Sequence, residues 1–152
     1  MSALKRISFL GLGLLILIIG CATNESCLSD PPVESVDQEY QLEADLWRDF
    51  MPPTPPDGRP LVAFIQVVEQ HGKPIPSEYE LTDLWVINED QVWVTTLSSE
   101  GLPHEEHELR GVARDGPKWG PHIFVDVIVA MDKGDGGLEL LMASDQGISR
   151  SE

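Results

Sequence analysis

The chain has 152 residues, 10 of them basic and 26 acidic, for a formal net charge of -16; 41% are hydrophobic and two are cysteines. That length accommodates a single domain. Binding nucleic acid or anionic lipid headgroups needs clustered Lys and Arg that displace condensed counterions, so an acidic balance of this size comes close to excluding the first and disfavours the second.

Residues 1–20 read MSALKRISFLGLGLLILIIG, with Lys5 and Arg6 ahead of an uncharged apolar run over 7–20. This is the layout of a secretory signal. A membrane-spanning helix competes with that reading. However, the run of 14 residues, at about 1.5 Å each, reaches only about 21 Å across a hydrocarbon core of about 30 Å. Removing residues 1–20 would take two positive charges away and leave a mature chain of -18.

Ile18, Ile19, Gly20 and Cys21 resemble the lipobox of bacterial lipoproteins, in which an aliphatic, a small or tolerated, and a small residue precede a cysteine. Ile19 departs from the usual small residue. The resemblance covers about 21 of the 152 residues. It implies that the Cys21 thiol is the lipid attachment point, carrying a diacylglyceryl group. It further implies that cleavage follows Gly20 and that the new amine can be acylated. At about 0.8 kcal/mol per buried methylene, two or three chains make a durable membrane anchor. Ala22 follows the cysteine where an aspartate would signal retention, which in a cell with two membranes implies the periplasmic face of the outer membrane. Cys27 is then left without an intrachain partner, so the fold is not a disulfide scaffold. It reads as a free or capped thiol, with an intermolecular disulfide as the alternative.

Residues 21–34 are polar and proline-containing without an apolar period, and form a flexible, lipid-bearing tether. Over 35–50 the spacing predicts a short helix. Ser35 and Gln38 have capping-box spacing, and Tyr40, Leu46, Trp47 and Phe50 fall near one helical face. The prolines of MPPTPPDGRP end it, and the stretch to residue 60 is a proline-rich arm.

From Leu61 onward the chain changes character. Runs rich in β-branched and aromatic residues at 61–69, 79–88, 91–97, 106–114, 122–131 and 138–143 predict six strands, to which the arm could add a seventh. Alternation sorts their faces: Ile123, Val125, Val127, Val129 and Met131 form an apolar row that should face the core, as should Leu61, Ala63, Ile65 and Val67. Asn88-Glu89-Asp90 and the glycine-rich 132–137 segment predict hairpin turns. Nothing between the strands has the ten-residue helical pattern of a parallel crossover. The expectation is therefore an all-β fold, a small antiparallel β-sandwich of immunoglobulin-like shape over 61–149, with a small open barrel as the alternative.

The densest polar constellation is His104-Glu105-Glu106-His107-Glu108. Its side chains suit a divalent metal, but the two histidines are three apart beside Pro103, not four apart on a helix. A solvated acidic loop is the favoured reading. Asp132, Asp135 and Glu139 loosely suggest a calcium loop, which a hairpin turn explains with less. Asp126 sits among apolar neighbours and reads as edge-exposed or paired with Arg110 or Arg114. Trp85 and Trp93 flank one turn and should cover one end of the sandwich. Trp119, in the loop over 115–121, is the candidate partner contact if exposed and a plug over the interior if folded back.

No nucleophile elbow or phosphate-cradling loop occurs. These residues point to a non-enzymatic, lipid-anchored extracytoplasmic module that binds an envelope protein or serves structurally, with no metal or cofactor. The alternative is a metal-binding or hydrolytic domain built on the His104–His107 loop, and inhibition of a secreted enzyme is a third reading.

Overall fold

The computed structural model describes residues 39–103 and 105–152. They form seven strands: β1 (Tyr40–Asp49), β2 (Leu61–Glu69), β3 (Glu80–Asn88), β4 (Gln91–Thr96), β5 (Glu108–Gly116), β6 (Phe124–Asp132) and β7 (Leu138–Ser151). No helix occurs among the described residues. The lipobox, the tether and Cys27 lie outside them.

One strand replaces the helix expected over 35–50. In β1, residues Tyr40, Leu42, Leu46 and Arg48 are buried while Gln41 and Glu43 are exposed, which is the period of a strand. Leu46 and Trp47, grouped on one helical face by the sequence, therefore point to opposite sides. The cause is tertiary. β1 pairs antiparallel with β2 from Tyr40↔Glu69 to Trp47↔Val62 and parallel with β7 from Leu46↔Ile148 to Asp49↔Ser151. Two hydrogen-bonded neighbours override a modest helical preference.

The strand order is β4-β3-β6-β7-β1-β2-β5 in a single sheet, antiparallel except at the β1–β7 pair. This differs from the expected all-antiparallel, two-sheet sandwich of immunoglobulin type: the strands form one mixed sheet that curls into a half-barrel. The two edges approach each other at a bridge where Ser98 N–H donates to Val112 O (3.0 Å) and Val112 N–H to Ser98 O (2.9 Å). Beside it, the Trp93 ring covers Gly116, where an added Cβ would stand 2.8 Å from the ring.

β7 makes the curl. Its residues Leu138 to Gly147 pair with β6 and its last residues, Ile148 to Ser151, pair with β1. At the changeover the register slips between the Val125↔Gln146 and Val127↔Ala143 pairs, and Asp145 adopts φ 56°. Such a bulge bends a strand and increases its twist. Asp126 stabilises it by accepting the Asp145 amide at 3.1 Å. Of the two readings for Asp126, edge-exposed or paired with Arg110 or Arg114, the pairing does not form among the described residues, and Arg110 is engaged by Glu105 and Glu108.

The concave side holds the core, built from alternate residues as the sequence predicts: Leu61, Ala63, Ile65 and Val67 of β2 and Val125, Val127, Val129 and Met131 of β6 are all buried. Both predicted hairpin turns are present. Glu89 adopts φ 54°, and Asp132 and Asp135 accept the amides of Gly134 and Gly137. Arg48 closes one end of the core. Its guanidinium donates to the carbonyls of Arg59 (2.9 Å), Lys118 (3.1 Å), Gly120 (2.8 Å) and Asp57, and it stacks on Phe50. A buried cation is tolerated there because its fork of donors finds acceptors on two loops.

Candidate functional site

The acidic loop is stitched into the fold. Arg110 pairs with Glu108 at 2.5 Å and reaches Glu105 at 3.6 Å, while His107 donates from Nδ1 to the Lys73 carbonyl at 2.9 Å. His104 lies outside the described residues. Among those described, no group of three His, Cys, Asp or Glu side chains converges to hold a metal. Of the other histidines, His71 lies at 3.3 Å from Glu69 Oε1, two residues before the Lys73 carbonyl that His107 meets, and His122 precedes β6. At the second hairpin, Asp132 and Asp135 are occupied by their turns and Glu139 pairs with Lys133 at 2.6 Å, so these three carboxylates serve the turn.

Trp119 takes the folded-back position. It is half-buried against the core, and Arg48 holds the carbonyls on either side of it. Trp85 and Trp93 do not cover one end together. They have opposite parity in their strands, so Trp93 packs inward against the core while Trp85 faces out.

That outward side of Trp85 is part of an extended apolar surface. On the convex face of β4-β3-β6-β7, register aligns Val94, Trp85, Ile128 and Met142 in one row across four strands. Val92 and Ile87 lie beside it toward one end, and Ala130 with Leu140 toward the other. Leu138 and Phe124 extend the surface to the two ends of β6. Directly opposite residues of neighbouring strands share a face and lie close enough to touch.

The exposures mark this face as different from ordinary surface. Among the described residues six large hydrophobic side chains are exposed, and five stand here: Val92 (53%), Val94 (59%), Phe124 (71%), Leu138 (63%) and Leu140 (43%). Their neighbours Ile128 and Ala130 are already buried at 8% and 0% within the sheet, so the surface has a sealed floor. Single exposed apolar residues need no explanation, whereas a contiguous set marks an interaction surface. Covering one such Val, Leu or Phe is worth about 1.5 to 3 kcal/mol before the costs of association.

The sequence carries a signal for this face. In β6 the row alternate to the core row also holds Phe124, Ile128 and Ala130, and β4 alternates Val92 and Val94 with Trp93. Strands apolar on both sides imply cover on both sides, and no other described element covers the convex one.

No family model matches the chain, and comparison with curated proteins and with solved structures likewise gives no match.

Proposed function

We propose that this chain is a lipid-anchored extracytoplasmic protein whose β-rich body works as a non-enzymatic protein-binding module of the cell envelope. The observation that carries the binding half of this reading is the convex apolar face of four adjacent strands, with five exposed large hydrophobic residues on three of them, β4, β6 and β7. The anchoring half is supported by the order of residues from Lys5 to Cys21. A thioether-linked diacylglycerol at Cys21 would hold the mature chain at a membrane surface, on the periplasmic side of the outer membrane in a two-membrane cell. Residues 22–38 would then separate lipid from body, and their acidic side chains disfavour collapse onto an anionic leaflet.

Mass spectrometry of the mature N-terminus tests the anchor. The expected species begins at Cys21 and carries acyl chains, and Cys21→Ser is expected to release the body from membranes or leave residues 1–20 attached. A stable membrane-bound protein with an unmodified Met1 would refute this processing.

A further inference from the structure

We propose that the convex face of β4-β3-β6-β7 docks a partner protein whose contact surface is apolar at its centre and basic at its rim. The proposal rests on the protein-binding reading above and adds the chemistry of the partner.

The charges around the face decide between occupants. Asp83, Asp126 and Asp132 share the outward parity of Trp85 and Ile128 in their strands. Glu89 and Asp90 form the β3–β4 turn at one end of the face, and Asp145 stands at the bulge of β7. None of the six makes an ion pair with a described residue, whereas elsewhere Glu108 pairs with Arg110, Asp57 with Lys118, Glu139 with Lys133 and Glu152 with Arg150. Glu89, Asp126 and Asp145 converge with the most exposed aromatic ring, Phe124, around a notch of about 180 Å³. An apolar floor edged by unpaired carboxylates is complementary to hydrophobic side chains flanked by Lys or Arg, whose cations could meet both the carboxylates and the Phe124 ring.

The same charges disfavour the other occupants. A second copy presenting this face would set six carboxylates against six, and like-charge juxtaposition across an interface opposes association. An anionic bilayer would be repelled in the same way.

The test uses the full chain, held in phosphatidylcholine nanodiscs by its anchor or free in solution if it has none, and two synthetic amphipathic peptides. Both peptides have one leucine face; one is edged with lysine and its twin with glutamate. The lysine peptide is expected to bind saturably and the glutamate twin not to bind. Affinity is expected to fall roughly tenfold or more with Val94→Asp, and to fall as salt is raised. Asp126→Asn, which keeps an acceptor for the Asp145 amide, should weaken binding without unfolding the sheet, as circular dichroism would verify. Equal binding of both peptides, no binding of either, or indifference to Val94→Asp would overturn the proposal. So would sedimentation showing a dimer that Val94→Asp dissolves, or quenching of Trp85 by brominated lipid in the nanodisc. An unacylated Cys21 would refute the anchor and leave the peptide result standing, so the two failures are distinguishable.

Discussion

Glu69 shows how one side chain couples the fold to pH. It ends β2 almost fully buried, and its Oε2 accepts the amides of His71 (2.8 Å) and Lys73 (2.6 Å). Burial pushes its pKa up, but the amides of Lys73 and His71, aided by the His71 ring, outweigh that and hold it below the ordinary 4.5. Asp57 is also lowered, first by its hydrogen bond from the Lys118 ammonium. A depressed carboxylate contributes stability that is present above its unfolded pKa and lost as pH falls through the lower folded value. Thermal midpoints are therefore expected to be insensitive to these groups above pH 5 or so and to drop below about pH 4. Glu69→Gln should flatten that acid limb. An acid limb of unchanged steepness in the variant would show that other groups carry it. The sequence offers no hint of this role, because Glu69 ends a predicted strand and its two amide partners belong to the segment that follows it.

At the scale of elements, the strand boundaries were legible. The runs predicted at 61–69 and 91–97 correspond to β2 and β4, and that at 122–131 to β6. Alternation and turn residues act locally, so they survive without tertiary information. What depended on long-range partners was missed. The YQLEADLWRD segment is amphipathic on either period, and only pairing with β2 and β7 selects the strand. β7 continues well past residue 143 because its far end finds β1. The meeting of β4 and β5 gives a direct test of this assembly. Gly116→Ala would drive a methyl into Trp93, and an overpacked contact of this kind costs about 1 to 3 kcal/mol. Urea unfolding should show that loss together with a shift in tryptophan emission. An unchanged midpoint would mean that Trp93 does not seal the gap.

For the whole molecule, charge and apolar surface act together. A formal charge of -16 on 152 residues, with six carboxylates around one face that pair with no described residue, makes self-repulsion a general feature of the chain. Raising sodium chloride from about 0.01 M to 0.15 M shortens the screening length from about 30 Å to about 8 Å. The unfolding midpoint is expected to rise over that range, since compactness is what concentrates the charge. A midpoint that falls would show that the local ion pairs outweigh the repulsion.

Local pattern located six of the seven strands, the inward residues of β2 and β6 and both hairpin turns, because these depend on near neighbours along the chain. Tertiary structure alone decided that the segment before the prolines is β1, that it runs parallel to β7, and that a bulge at Asp145 curls the sheet. It also decided which apolar residues are covered. Val127 and Phe124 lie three residues apart in one strand, yet the first is wholly buried and the second 71% exposed. Alternation divides a strand into two faces and points its apolar row inward, but only the packed sheet determines which apolar residues of the other row stay exposed.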